Sequence, residues 1–250
     1  MLTEERHRLI LQLLKERNVI KINEIVELTN TSESTIRRDL TQLEEEKFLK
    51  RIHGGAARLQ GMLQEPSMSE KSSKNIHEKR KIAEYAARLV GEADCIYLDA
   101  GSTITEMIEF LPKKDIVVVT NGLMHLNLLL EKGITTYLIG GYAKAKTNAV
   151  IGRGALLSLE QYRFDKCFIG VNGIHSQFGY TTPDPEEAMV KQKAISVARE
   201  VFVLADDTKF SEIAFSKIAD LHEATIITTE LDHETELQYA SKTSIKVVTS

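Results

Sequence analysis

Residues 31–55, TSESTIRRDLTQLEEEKFLKRIHGG, decide how the front of this chain folds. Ile36, Leu40 and Leu43 stand at i, i+4 and i+7, which makes one buried stripe of a helix. The same wheel turns Ser34, Arg38 and Thr41 the other way, with Thr35 and Arg37 flanking them. Thr31 or Ser32 can cap this helix, because either hydroxyl accepts from a free N–H of the first turn. A helix that hides three aliphatics and shows Ser, Thr and two Arg can dock on a duplex. Residues 48–52 then read as a strand, and His53-Gly54-Gly55-Ala56 as a hairpin tip.

Upstream, residues 3–17 read as a helix with Leu9 or Ile10, Leu13 and Leu14 on its apolar side, broken at Asn18-Val19. Residues 22–28 read as a short helix with Ile22, Ile25 and Val26 at i, i+3 and i+4, closed by a turn at Thr29-Asn30. Helix, short helix, tight turn, helix and hairpin is the order of a winged helix-turn-helix, placed at residues 1–58. Residues 59–75 contain Gly61, Pro66 and several Ser with little periodicity, and read as a linker. A helix over 76–91, with Ile82, Tyr85, Ala86 and Leu89 on one face, opens a second domain that runs from 76 to 250.

In that domain seven aliphatic runs, CIYLD, IVVVT, TTYLIG, KCFIGV, VFVLAD, ATIITT and IKVV, alternate with helical stretches near 103–111, 122–132, 185–200 and 232–241. Strands so apolar, spaced by helices, predict a mostly parallel, Rossmann-like α/β sheet covered on both faces.

Net charge does not announce nucleic acid: the chain of 250 residues carries −4 in all. Residues 1–60 hold 11 Lys/Arg against 10 Asp/Glu. Contact with DNA must therefore come from where the charges sit, not from their sum. Cys95 and Cys167, each inside a strand run, read as small buried hydrophobes of a reducing compartment, with no metal-ligand spacing. The histidines form no metal-ligand pattern either. The charged start MLTEERHR lacks the apolar core of a secretory signal, and no apolar run nears the ~20 residues of a membrane span. A cytoplasmic protein without a cofactor is expected. Neither a GxGxxG after a strand nor a GxxxxGK[ST] is present, so no dinucleotide or P-loop nucleotide is indicated.

In open α/β sheets, ligands bind beyond the carboxyl ends of the strands. After CIYL comes Asp99-Ala100-Gly101-Ser102-Thr103, where Gly101 permits an unusual backbone angle and Ser102 and Thr103 open a helix. Hydroxyls and N–H groups at a helix start suit a phosphate. The other strand ends are Thr120-Asn121-Gly122, Gly140-Gly141, Val171-Asn172-Gly173 and Asp206-Asp207-Thr208-Lys209. Each alone reads as a cap, a turn or a solvated lysine; their shared sheet edge makes a site for a small phosphorylated, hydroxyl-rich molecule. Asp184-Pro185-Glu186-Glu187 is better read as a helix start than as acid/base machinery, with Asp at N-cap and Pro at N1.

The segment from Ser34 to Leu40 (STIRRDL), followed by Arg51-Ile52-His53-Gly54-Gly55-Ala56, closely resembles the signature of the DeoR family of bacterial transcription regulators. The resemblance covers nearly the whole chain. It implies DNA contacts by Ser32, Ser34, Thr35, Arg37 and Arg38 on helix three, and by Arg51, His53, Gly54 and Arg58 at the wing. The second domain's strand ends resemble the family's sugar-phosphate sensor, which implies effector contacts by Asp99, Gly101, Ser102, Thr103, Thr120, Asn121, Gly140, Gly141, Asn172, Gly173, Lys191, Asp206 and Lys209. Within the family, MLTEERH, EKSSKNIHEKRKIAE and YTTPDPEEAMVKQKAI are most similar to repressors of fructose operons in Gram-positive bacteria. That implies release from operator DNA by a phosphorylated fructose such as fructose 1-phosphate.

The sensor is also similar to ribose-5-phosphate isomerase, and the rival reading is an isomerase-like enzyme fused to a DNA-binding head. By that likeness Lys191 stands where the catalytic glutamate would lie, and Asn172-Gly173 where the acidic loop would. Without a base no proton is shuttled, so a sensor with no catalytic residue is expected. One head offers little contact area, so a homodimer or homotetramer on repeated half-sites is expected.

Overall fold

Aliphatic spacing in the first sixty residues closes three helices on a small sheet. The computed structural model describes residues 2–17, 19–46, 48–52, 54–58, 61, 63–112 and 115–248, with Arg58 described by its backbone alone. The chain divides into two compact units, Met1–Gly61 and Met62–Ser250.

The first unit runs α1 (Thr3–Arg17), β1 (Val19–Lys21), α2 (Ile22–Thr29), α3 (Glu33–Glu45), β2 (Leu49–Ile52) and β3 (Gly55–Arg58). Its core gathers Ile10, Leu13, Leu14, Ile22, Ile25, Ile36, Leu40, Leu43 and Leu49, so the apolar side of α1 is set by Ile10, with Leu9 only partly buried. Burying one such side chain contributes about 1.5–3 kcal/mol. Ser32 is the cap of α3, its hydroxyl accepting from the Thr35 N–H at 3.4 Å. The strands form an antiparallel sheet in the order β1-β3-β2. Strand β1 was not expected, since three residues are too few to show a period. Gly55 is required where β3 meets β1, because a Cβ there would lie 2.1 Å from the Ile20 carbonyl oxygen. Gly54, at φ +75°, turns the wing.

The second unit begins with α4 (Met68–Ser73) and α5 (Ile76–Arg88). The 59–75 stretch is therefore not wholly a linker. Ser67 makes a reciprocal capping box with Glu70, the Met68 N–H donates to the Lys146 carbonyl at 3.0 Å, and Glu65 pairs with Lys144 at 2.7 Å. The units divide near Gly61, and these residues belong to the second.

There follow β4 (Cys95–Leu98), α6 (Ser102–Phe110), β5 (Val117–Thr120), α7 (His125–Glu131), β6 (Thr135–Leu138), β7 (Tyr142–Lys144), β8 (Ala149–Ile151), α8 (Arg153–Glu160) and β9 (Phe164–Gly170). Then come β10 (Gly173–His175), β11 (Gly179–Thr182), α9 (Pro185–Ser196), β12 (Ala198–Leu204), β13 (Ser216–Ala219), β14 (Thr225–Thr228), α10 (His233–Ala240) and β15 (Ile245–Val247). Seven strands make one parallel sheet in the order β15-β14-β12-β9-β4-β5-β6. They are the seven runs read from the sequence. Alternation appears in three dimensions: Tyr97 packs with α8 and α9 residues Ala155, Leu159 and Ala194, whereas Ile96 and Leu98 pack with α5 and α6 residues Ile82, Ala86, Ile104 and Met107. Because both faces are covered, both sets are apolar and the period of two is hidden in the sequence.

The sequence reading omitted α4, α8, the β7–β8 hairpin and the small antiparallel sheet β10-β11-β13. Cys95 and Cys167 are free, and Cys167 is buried. Among the described residues no helix is long and apolar enough to cross a membrane.

Candidate nucleic-acid interface and effector site

In the first unit, α3 turns Ser34, Arg37 and Arg38 outward and Ile36, Leu40 and Leu43 inward. The Ser32 hydroxyl lies 3.0 Å from that of Ser34 and 2.9 Å from that of Thr35, so three hydroxyls cluster at the helix start. Arg37 donates to Glu33 at 2.6 Å and 2.9 Å, an exposed pair that is easily exchanged for an external anion. Arg38 is exposed and makes no ion pair among the described residues. Arg51 on β2 reaches across α3, its guanidinium donating to Thr41 Oγ1 at 2.9 Å and its N–H to Glu44 at 2.7 Å. The structure thus brings Ser32, Ser34, Thr35, Arg37, Arg38 and Arg51 onto one exposed region, with Gly54 at the adjoining turn. His53 and the side chain of Arg58 lie outside the described residues.

Sequence reasoning gave Asp39 no role. It is buried, and it accepts from Arg6 at 2.6 Å and 3.0 Å, which ties α1 to α3. Hydrogen bonding to Asp39 raises the Arg6 pKa, so the guanidinium stays charged.

In the second unit β4 pairs with β5 on one side and β9 on the other, so the connections diverge between β4 and β9. That crevice at the carboxyl ends is where a doubly wound sheet takes a ligand. Asp99 follows β4 and is 1% exposed. Its Oδ2 accepts from the Gly170 N–H at 3.0 Å and from the Lys191 ammonium of α9. Lys191 is 5% exposed, so the pair is a buried one.

Gly101, Ser102 and Thr103 form the first turn of α6 beside this pair. Gly101 does not supply an unusual backbone angle: its φ is −124°, which any residue adopts, and a Cβ there would meet only ordinary contacts. Thr120 is fully buried and its hydroxyl is already committed. It donates to the Leu98 carbonyl at 2.7 Å and accepts from Gly122 N–H at 2.9 Å and from His125 Nδ1 at 2.8 Å. Asn121 is likewise engaged, accepting from Ala100 N–H at 2.8 Å and donating to Val150 O at 3.4 Å. These two side chains shape the loops of the crevice. Burial pushes the His125 imidazole down to about 4, so the ring is neutral at ordinary pH.

Gly141 has φ +150°, and a Cβ there would lie 2.5 Å from Ile151 O, so Gly141 lets its loop pack on β8, whereas a Cβ at Gly140 would meet only an ordinary contact. Gly173 allows a close approach to Glu212 O, and Asn172 Oδ1 accepts from Thr182 at 3.1 Å. Backbone packing thus accounts for Gly141 and Gly173. Asp206 caps the turn Asp207–Lys209 through the Thr208 N–H at 3.1 Å.

Three buried or half-buried lysines were missed. Lys144 on β7 pairs with Glu65, Asp184 and Glu187; burial pushes its pKa down, but those carboxylates outweigh it and raise the value. Asp184 also caps α9 with Pro185 at N1, as its sequence suggested. Lys71 and Lys79, from α4 and α5, sit among mixed charges: Glu187, Glu65, Lys191 and Lys209 act on Lys71, and Asp206, Lys209 and Glu106 act on Lys79. Burial lowers the pKa of both. Only the run of lysines in 71–79 hinted at them, and reading that stretch as linker and helix start hid its direction. Two surface depressions, one against Gln192 and Lys217 and one against Ser176 and Lys242, lie away from the β4–β9 crevice.

Residues 6–61 match the DeoR-like helix-turn-helix domain, and residues 74–231 match the DeoR C terminal sensor domain. The chain is 57% identical over 249 residues to the uncharacterized HTH-type transcriptional regulator FruR of Bacillus subtilis (strain 168), covering 99% of each. It is 36% identical to the lactose phosphotransferase system repressor of Streptococcus mutans, covering 97% of this chain and 98% of that one. Among solved structures, ribose 5 phosphate isomerase A from Neisseria gonorrhoeae aligns with a TM-score of 0.41 at 20% identity, over 54% of this chain and 53% of that one.

Proposed function

The chain belongs to the DeoR family of transcriptional regulators, and from that premise we propose that it represses a sugar-utilisation operon and leaves its operator when a phosphorylated sugar binds. Fructose is the proposed sugar and fructose 1-phosphate the proposed effector. The supporting observation is one chain that carries both an exposed Ser/Arg face on α3 and, at the carboxyl ends of β4 and β9, the buried Asp99–Lys191 pair beside the first turn of α6. Ser32, Ser34, Thr35, Arg37, Arg38, Arg51, His53, Gly54 and Arg58 meet double-stranded operator DNA. An Arg set bidentately on guanine contributes about 1–3 kcal/mol of discrimination. The effector's phosphoryl group lies at Gly101–Thr103 with Lys209 in reach, and Asp99 and Lys191 shape the sugar end.

The domain acts as a sensor and not as an enzyme. Asp99 is tied by Lys191 and Gly170 and is not free to take a proton from a sugar carbon. A coupled assay that found isomerisation of ribose 5-phosphate or a fructose phosphate would favour the enzyme reading. The protein works as a cytoplasmic homodimer or homotetramer, whose paired heads meet half-sites roughly 34–36 Å apart or a multiple of that. Effector and operator oppose each other by a coupling of about 1–3 kcal/mol, the same in both directions. A mobility-shift titration on DNA upstream of a fructose operon, with and without fructose 1-phosphate, tests this. Binding that ignores every sugar phosphate, or that ignores DNA sequence, would overturn it.

A further inference from the structure

One ammonium group of the second unit holds three carboxylates. Lys144 Nζ of β7 lies 2.6 Å from Asp184, 3.0 Å from Glu187 and 2.7 Å from Glu65. Asp184 and Glu187 are the cap and first turn of α9. Glu65 comes from the stretch that follows the unit boundary at Gly61. The β7–β8 hairpin makes two further links. The Thr147 hydroxyl donates to Glu187 at 2.6 Å, and the Lys146 carbonyl accepts from the Met68 N–H at 3.0 Å. The hairpin thus fastens residues 65–68 on one side and the start of α9 on the other.

Helix α9 carries the connection inward. Glu187 and Lys191 stand one turn apart, at i and i+4, and so share a face. Both are buried, and Lys191 donates to Asp99 in the β4–β9 crevice. Direct contacts and one helix therefore lead from Glu65 through Lys144 to the pair at the crevice.

The outer link is incompletely satisfied. The Glu65 side chain is 7% exposed, yet its Oε1 is buried with no hydrogen-bond partner among the described residues. Burying a polar oxygen without a partner costs free energy, which offsets part of what the pairing with Lys144 contributes. Asp184 and Glu187 keep Lys144 paired when Glu65 withdraws. Docked and undocked arrangements of residues 65–68 are thus closer in free energy than a fully satisfied clasp would make them.

Resting on the effector reading above, we propose that Glu65 is a positioning residue of the effector response: its clasp on Lys144 ties the stretch next in sequence to the DNA-binding unit to α9, and so makes operator binding answer to the crevice. An effector that engages Asp99 and Lys191 shifts α9, and with it the two carboxylates that share the ammonium with Glu65. Coupling needs an element with two arrangements that both ligands bias, and residues 65–68 supply it.

The test uses the full-length protein. Binding to DNA upstream of a fructose operon is followed by fluorescence anisotropy, without and with saturating fructose 1-phosphate, and fructose 1-phosphate binding by calorimetry. In the wild type the effector is expected to raise the operator Kd roughly tenfold or more. In Glu65→Gln both ligands still bind, and the effector is expected to change the operator Kd by only about twofold or less. Glu65→Asp keeps the charge and is expected to restore part of the response. Met68→Pro reaches the same link without touching a charge, because Pro suits the first position of α4 but cannot donate to Lys146; it too is expected to shrink the response. Urea midpoints are read alongside, since a purely structural role lowers the midpoint and leaves the ratio of operator Kd values as in the wild type. Wild-type ratios in both Glu65→Gln and Met68→Pro would overturn the proposal while leaving the effector reading standing. Loss of fructose 1-phosphate binding in a stably folded Glu65→Gln would place Glu65 in the effector site itself and overturn it as well. A wild type whose operator binding ignores fructose 1-phosphate and fructose 6-phosphate alike would end both.

Discussion

The Lys191 ammonium donates to Asp99 Oδ2 across 92 residues of sequence, and both groups are almost wholly buried. This contact joins α9 to the end of β4, and with the Gly170 N–H it fixes the crevice between β4 and β9. Removing one partner leaves a desolvated charge, which costs about 3–5 kcal/mol. Lys191→Met is therefore expected to lower the urea midpoint of the second unit sharply, and the double variant Asp99→Leu/Lys191→Met to recover much of the loss. Equal losses in the single and double variants would show that the pair is not coupled.

Arg38 and Arg37 differ in what holds them. Arg38 is exposed and makes no ion pair among the described residues, whereas Arg37 lies against Glu33. Arg38→Ala is expected to weaken operator binding and to flatten the salt dependence by about one counterion. Glu33→Gln is expected to tighten binding modestly, because Arg37 is freed. Mobility shifts at several salt concentrations measure both, and an unchanged slope for Arg38→Ala would remove it from the interface.

Asp39 lies beside these arginines in sequence but faces inward. Asp39→Ala leaves Arg6 buried without its carboxylate and is expected to destabilise the first unit by roughly 3 kcal/mol. It then abolishes DNA binding by unfolding, not by losing a contact. Circular dichroism during thermal melting separates the two causes; a full-stability variant that still fails to bind would contradict this role.

His125 confers acid sensitivity. Its folded pKa, held at about 4 by burial, lies below the unfolded value near 6.5. Between these values the unfolded chain binds the proton and the folded one does not. Stability therefore falls as pH drops from about 6.5 to about 4, by about 3 kcal/mol, and this group adds nothing above that window. Urea melts across pH 4–7 on the wild type and on His125→Gln check it. The variant starts less stable, since Thr120 and Thr105 lose the ring, but is expected to show a shallower slope.

The adjacent wing glycines are expected to respond differently. Gly54→Ala meets open space and costs about 1–2 kcal/mol for its positive φ alone. Gly55→Ala drives a methyl into the Ile20 carbonyl and forces β1 away from β3, a larger loss. Denaturant midpoints of the two variants should rank accordingly.

Local pattern was enough for the helices of the first unit, because Ile36, Leu40 and Leu43 repeat with the helical period and Ser32 supplies a cap within three residues. It was enough, too, for the seven parallel strands, whose two apolar faces leave unbroken aliphatic runs between helices. The order of those strands, the inward turn of Asp39 toward Arg6 and the pairing of Lys191 with Asp99 depend on partners tens of residues away, and no local period encodes such a distance. The same holds for Thr120 and Asn121: their positions at a strand end were readable, but their hydrogen bonds to Leu98, His125 and Ala100 were not. Lys71 and Lys79 carry the point furthest, since a charged side chain on a polar stretch reads as solvated until packing removes the water around it.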